Sequence, residues 1–349
     1  MTAPRVRYGI VGFGRFAEKA IAPAIKQSYN SVLVAVQNRS LAKAHSAALQ
    51  HNVPLAFESV EALVAHPEVD AVFVASPNAL HCEETVIAAQ SRKHVLVEKP
   101  MAMNVEECER MIEVCKQNHV KLMVGHQVRL SPLVRRMREL VLNGAIGQVI
   151  RAAADFVYDG RLSTRSWLLD RKLAGGGPTF DVGVHCIDTL RFVLDDEVVS
   201  LQGELKPKPT ADTTEATSQL LMRFARGTIG VVFSSYEAPL RESRIEILGT
   251  EARLSAVDFT VGERCATLVI ERRNAAGSPD WLEEAIDVPN LYVEEINHFS
   301  ECILHDKVAI ADAVNVTIIT LDDAPSGYRD FDQGAARKYV IDPHGMVAA

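Results

Sequence analysis

Val6-Arg7-Tyr8-Gly9-Ile10-Val11-Gly12-Phe13-Gly14-Arg15-Phe16-Ala17 decides how the rest of the chain is read. A β-branched apolar run, Val6–Val11, enters G-x-G-x-x-A at 12–17 and leaves it in a segment of helical periodicity. The first glycine permits a tight turn, the second lets a pyrophosphate approach the backbone, and Ala17 allows close helix–strand packing. An anion held there meets the N–H groups and dipole of a helix N-terminus. Without context the stretch is only a tight strand–helix turn, so its neighbours decide the matter.

Those neighbours alternate. Val32–Val36, Leu55–Phe57, Val69–Ala75, His94–Val97 and Val120–Val124 read as further buried strands. Helical patterns separate them at Phe16–Gln27, Leu41–Leu49, Val60–Ala65, Leu80–Ser91 and Val105–Asn118. Pro23 is expected to kink the first helix, and Asn104 with Glu107 to cap the last. The pattern predicts an α/β, doubly wound parallel sheet over residues 1–125. Beyond Gly125 the texture changes to a helix at Leu133–Leu142 closed by Asn143-Gly144, a strand at Val149–Val157 and a helix at Thr179–Leu194. Alternating segments at Thr217–Phe224, Thr228–Ser235, Arg244–Leu248 and Ala266–Glu271 follow, then a helix at Val293–Leu304. An α+β domain with a mainly antiparallel sheet is expected over 126–308, followed by an atypical tail, 309–349.

The 349 residues suffice for two such domains, and 48% hydrophobic with 23% charged residues is a globular composition. A net charge of −8 argues against nucleic acid and anionic membranes as partners, because those rely on clustered Lys and Arg. The six cysteines show no metal-ligand spacing, so no metal is expected and reduced, buried thiols are. No apolar stretch is long enough to span a bilayer, and Met1–Arg7 leave no room for a secretion signal; a cytoplasmic protein is expected.

Three stretches carry chemistry. After the second strand comes Gln37-Asn38-Arg39-Ser40, where an NAD site commonly has an acidic residue for the ribose hydroxyls. Asn38 does not repel a 2′-phosphate, and Arg39 and Ser40 can bind one, which favours NADP over NAD; Arg39 stacked on adenine or in solvent is the alternative. Glu98-Lys99-Pro100 stands at the carboxyl edge of the fifth strand, where a lysine can hydrogen-bond a reacting oxygen, although such a tripeptide can also be a plain surface turn. Asp181 and His185, in Gly175-Gly176-Gly177-Pro178-Thr179-Phe180-Asp181-Val182-Gly183-Val184-His185, share a helix face at i, i+4 and make a workable acid–base pair, or else a helix-start aspartate and a core histidine.

Taken in order, GFGRFA at 12–17, SPNALH at 76–81, EKP at 98–100, GHQVRLSP at 125–132, SWLLD at 166–170 and GGGPTFDVGVHCID at 175–188 resemble the glucose–fructose oxidoreductase and inositol dehydrogenase family, Gfo/Idh/MocA, over about residues 5–306. The resemblance implies an N-terminal Rossmann domain, a second domain whose open sheet face commonly serves homo-oligomerisation, and hydride exchange between NAD(P) and a secondary alcohol or carbonyl on a sugar, cyclitol or related small molecule. It makes Lys99, Asp181 and His185 the catalytic candidates. Gly12, Phe13, Gly14, Arg15, Phe16, Asn38, Arg39, Ser40, Ser76, Asn78, His81, Glu98, Lys99 and Trp167 become the cofactor-binding candidates, and Arg129 is a further candidate that could equally hold domains together. The same scaffold hosts dihydrodiol and aldehyde reductases, NAD-assisted glycosidases and catalytically silent nucleotide sensors; the joint presence of Lys99, Asp181 and His185 argues against a pure sensor. The tail after about residue 308, with LDDAPSGYRDFDQGAARKYVIDPHG, is instead similar to the end of zinc-dependent medium-chain formaldehyde dehydrogenases, without a Cys-rich ligand set.

Overall fold

The computed structural model describes residues 4–311 and the backbone of two short paired strands, Tyr339–Val340 and Val347–Ala348. The tail's resemblance to formaldehyde dehydrogenases thus falls almost wholly outside the described residues. The chain divides into two compact units, the first ending at Gln127 and regaining the chain at Tyr292.

In the first unit, β1 (Val6–Val11), β2 (Ser31–Gln37), β3 (Leu55–Phe57), β4 (Ala71–Val74), β5 (His94–Val97) and β6 (Leu122–Val124) form one parallel sheet in the order β3-β2-β1-β4-β5-β6. The order reverses between β1 and β4, and such a switch point opens a crevice at the carboxyl ends of the strands. Tyr8, Ile10, Phe73 and Leu96 are fully buried, as a sheet covered on both faces demands. Short polar side chains start the helices. Ser40 accepts the N–H of Lys43 at α2 (Leu41–Gln50), Ser59 that of Ala62 at α3 (Val60–Val64), and Asn104 that of Glu107 at α5 (Val105–Gln117), while Glu107 reaches back to the N–H of Met103. The expected kink at Pro23 takes another form: a π-helical turn, Ala17–Ile21, gives way to α1 (Ala22–Gln27). Pro23 then stands in the first turn of α1, where its missing N–H costs nothing. Between β4 and β5 lies α4 (His81–Gln90).

The second unit is an eight-stranded sheet packed on one face against α6 (Pro132–Leu142) and α8 (Val184–Leu194), with the short α7 (Arg171–Ala174) between them in sequence. Its strands are β7 (Val149–Asp159), β8 (Val198–Lys206), β9 (Thr217–Phe224), β10 (Ile229–Ser235), β11 (Glu237–Gly249), β12 (Ala252–Val257), β13 (Arg264–Arg273) and β14 (Pro279–Val288). The order is β14-β13-β12-β11-β7-β10-β9-β8, and only β7 and β10 pair in parallel. Met137, Cys186, Leu190, Leu220, Phe224, Ile247 and Leu254 are core members. The helix expected over Thr179–Leu194 begins as a π-helical turn, Thr179–Gly183, before α8.

The second domain expected over 126–308 stops short of that bound, because the last helix, α9 (Leu291–Leu304), packs in the first unit. Ile296, Phe299 and Cys302 join the core of Tyr8, Ile10 and Phe73, the two large side chains contributing roughly 1.5–3 kcal/mol each by burial. Polar contacts fix the docking: the Ser300 hydroxyl lies 2.9 Å from that of Tyr8 and 2.7 Å from that of Ser31, and the Asn30 amide donates to the Asn297 carbonyl at 2.9 Å.

Candidate functional site

The glycine turn of the first unit is built by residues from three strand ends. Gly12 has φ +72, and a Cβ on it would come within 2.7 Å of the Ser76 backbone, so both conformation and space call for glycine. Gln37, at the end of β2, accepts the Gly12 N–H on its side chain at 2.9 Å and the Phe13 N–H on its carbonyl at 2.8 Å. The Asn38 amide donates to the Phe13 carbonyl at 2.8 Å, and its oxygen accepts the Ser40 N–H at 3.0 Å. Asn38 therefore ties the turn to β2 without bringing a charge. Gly14 is exposed, and a Cβ there would meet nothing nearer than the Gly12 carbonyl at 3.8 Å. That open cradle at a helix start fits a dinucleotide's pyrophosphate. Arg15 and Arg39 are exposed beside it, whereas the Phe13 ring turns inward against His51 and Phe16 packs edge-on to Tyr292.

Behind the turn, Ser76, Asn78 and His81 are all buried. The Ser76 hydroxyl donates to Glu84 of α4 in a short hydrogen bond. His81 is completely enclosed, with Nδ1 2.9 Å from the Pro100 carbonyl and Nε2 3.0 Å from that of Ser76. Burial holds its pKa below the usual imidazole range. The ring thus braces the β4 turn against the Glu98-Lys99-Pro100 turn and presents no edge to a ligand. Lys99 is half-buried, and its N–H donates to the Glu98 carboxylate at 3.2 Å.

The second unit gathers a different constellation. Asp181, 4% exposed, receives both arms of the Arg165 guanidinium at 3.0 Å, one on each oxygen, and the Tyr158 hydroxyl at 2.6 Å. Burial opposes the Arg165 charge, but Asp181 outweighs it and holds the guanidinium protonated. Burial, reinforced by Asp181, pushes the Tyr158 phenol up. Tyr236 packs edge-on to Tyr158, centroids 5.0 Å apart. His185, one turn on from Asp181, is buried with its ring tilted against Phe156. The glycine run is explained from the same place: Glu215 accepts the N–H groups of Gly177 and Thr179 at 3.0 and 3.2 Å, and a Cβ on Gly177 would overlap the Glu215 carbonyl. Trp167 lies half-buried in the turn Ser166–Leu169. Arg129 is buried in a two-armed pair with Asp188 at 2.6–3.1 Å, inside the second unit.

Gln37, Tyr158, Arg165 and Glu215 are not singled out by any sequence motif. Each acts on a partner 16 to 38 residues away, and only Gln37, a polar residue ending an apolar strand, gives a local hint. Among the described residues no group of three or more His, Cys, Asp or Glu gathers to hold a metal, five of the six cysteines are buried, and no helix is long and apolar enough to cross a membrane.

With that geometry in view, comparison with known proteins places the chain. Residues 6–126 match the model of an oxidoreductase family with an NAD-binding Rossmann fold, and residues 134–255 match the GFO/IDH/MocA C-terminal domain. The 1,5-anhydro-D-fructose reductase of Ensifer adhaerens is 30% identical over 85% of this chain and 88% of its own length. The D-xylose 1-dehydrogenase [NADP(+)] of Haloarcula marismortui is 28% identical over 88% and 86%. The crystal structure of the aldose–aldose oxidoreductase of Caulobacter crescentus superposes with a TM-score of 0.79 at 27% identity, covering 95% of this chain and 97% of that one. The chain belongs to the Gfo/Idh/MocA oxidoreductase family.

Proposed function

We propose that this protein interconverts a secondary alcohol and a carbonyl on a sugar, cyclitol or related polyhydroxy compound, with NADP preferred over NAD. The observation that carries the reading is the pre-formed Asp181 carboxylate, held by Arg165 and Tyr158 one turn before His185. His185, one turn on, is the group suited to give a proton to a carbonyl oxygen or take one from a hydroxyl. Lys99 is the group of the first unit proposed for hydrogen-bonding a reacting oxygen, and the Gly12–Gly14 turn with Ser76, Asn78 and Glu98 holds the dinucleotide. Bound there, the nicotinamide supplies the hydride acceptor or donor. Arg39, exposed beside the uncharged Asn38, supplies the charge for a 2′-phosphate, and Trp167 is the contact that the family resemblance implies for the nicotinamide region.

The relatives named for anhydrofructose and xylose chemistry support the substrate class. The experiment is a screen of aldoses, cyclitols and anhydro-ketoses with NADP(H) and NAD(H), read by the ultraviolet absorbance of the reduced nicotinamide. Turnover of at least one is expected; a folded protein that binds both dinucleotides and turns over nothing is a nucleotide sensor instead. The outer face of the eight-stranded sheet, with Leu221, Ile229 and Val257 about half exposed, is the surface we propose for a homo-oligomer. Sedimentation of the wild type and of Leu221→Glu tests it, the variant being expected to shift toward monomer. The segment after residue 308, with its resemblance to formaldehyde dehydrogenases, contributes no residue to this reading.

A further inference from the structure

Glu84 is an acid set behind the wall of the dinucleotide cradle. Its carboxylate accepts the Ser76 hydroxyl, and the Ser76 backbone is the surface against which Gly12 closes, so Glu84 lies one residue behind the phosphate-binding turn. Arg39, from the turn after β2, is within electrostatic reach of it. Glu83 on the same helix turns outward to Arg110 of α5, and His81, with Lys99 acting on it, is committed to the carbonyls of Ser76 and Pro100.

We propose that Glu84 is a specificity-determining residue of the dinucleotide site: its carboxylate offsets the charge of Arg39 and so limits how strongly NADPH is preferred over NADH. The inference rests on the reading of Arg39 as the 2′-phosphate group's partner. Burial pushes Glu84 up to about 7, against the pull of Ser76 and Arg39, so the offset is weak in mildly acidic solution and full in mildly alkaline solution. The 2′-phosphate carries nearly two negative charges once above its own pKa of about 6, and it is the part of the cofactor that an added negative charge near Arg39 disfavours most.

The test is titration of the full chain with NADPH and with NADH between about pH 6 and 8.5, for the wild type, Glu84→Gln and Arg39→Ala, folding of each being checked by thermal melting. Glu84→Gln keeps the oxygen that receives the Ser76 hydroxyl. It is expected to tighten NADPH about fivefold at the alkaline end, to change NADH by less than about twofold, and to match the wild type at the acidic end, as a single screened charge would. Glu84→Met, neutral and unable to accept the hydrogen bond, is expected to show the same loss of pH dependence. If Arg39→Ala weakens NADPH while Glu84→Gln and Glu84→Met leave the NADPH-to-NADH ratio of the wild type at every pH, the Glu84 inference is overturned and the Arg39 reading stands. If Arg39→Ala leaves NADPH binding untouched, the underlying reading fails instead.

Discussion

The two units solve opposite electrostatic problems. Around the glycine turn, the groups that shape the cradle directly are backbone amides and the uncharged side chains of Gln37, Asn38 and Ser76, with the Glu84 carboxyl set behind Ser76. The second unit stores ionised groups in advance. Asp181 is clamped by Arg165 and Tyr158, Arg129 by Asp188, and Glu215 sits on two backbone N–H groups. Stored charge in a buried setting is worth having only where a proton must be handled at a fixed place, since the desolvation cost is large. The difference matches the proposed division of labour, in which the first unit recognises the dinucleotide and the second handles the proton.

The strongest blow to the first half of this contrast is Gly12→Ala. A Cβ 2.7 Å from the Ser76 backbone, at φ +72, forces the turn open; we expect a cost of about 2–4 kcal/mol and a loss of dinucleotide affinity of at least roughly 100-fold, measured by titration. Less severe, and aimed at the second half, is Arg165→Ala. It strips Asp181 of its two-armed partner, and because Arg165 is partly exposed the loss is about 1–3 kcal/mol in chemical unfolding rather than the full figure for a buried pair. Its kcat should fall while dinucleotide binding holds, and Arg165→Lys should not restore it, since a lysine cannot bridge both oxygens.

A smaller effect sharpens the comparison from within the first unit, at Glu84 and Glu295. Both have raised pKa values, chiefly through burial, and Glu295 is further raised by Glu98; among the described residues neither oxygen of Glu295 has a hydrogen-bond partner. In the unfolded chain these carboxyls ionise above about 4.5, whereas in the fold they keep their protons to higher pH. Folding is therefore disfavoured as pH rises from the unfolded value through the folded one, and the full penalty is present above it. Glu295→Gln should melt at a higher temperature than the wild type at pH 8 and at the same temperature near pH 4, as scanning calorimetry would show. A lower melting temperature at pH 8 would mean that the carboxylate form is wanted there.

What could be read from the sequence follows the same divide. Five of the six parallel strands are short apolar runs that are largely buried, the edge strand β3 being only half-buried, and G-x-G-x-x-A is a compact motif whose spacing can be read locally. In the second unit β8, β12 and β14 went unseen. Strand β14, at the sheet edge, buries almost nothing but Val288, and an exposed strand leaves no alternation to find. The chemistry there depends on pairs such as Tyr158 with Asp181 and Glu215 with Gly177, which only the tertiary fold brings together. His81 shows the converse: it is legible as part of SPNALH, but its enclosure between the Ser76 and Pro100 carbonyls is visible only in the fold. The last helix was correctly seen as a helix, but nothing in Leu291–Leu304 says that its Ile296 and Phe299 belong to a core begun at residue 6.

The central claim is that dinucleotide recognition and proton handling reside in different units, and it is tested most directly by His185→Ala. Dinucleotide affinity and single-turnover chemistry are measured on the same sample, with a substrate found in the screen. The account predicts a dissociation constant within about twofold of the wild type and a hydride-transfer rate lower by roughly 10²–10⁴. A variant that still transfers hydride at the wild-type rate would contradict it.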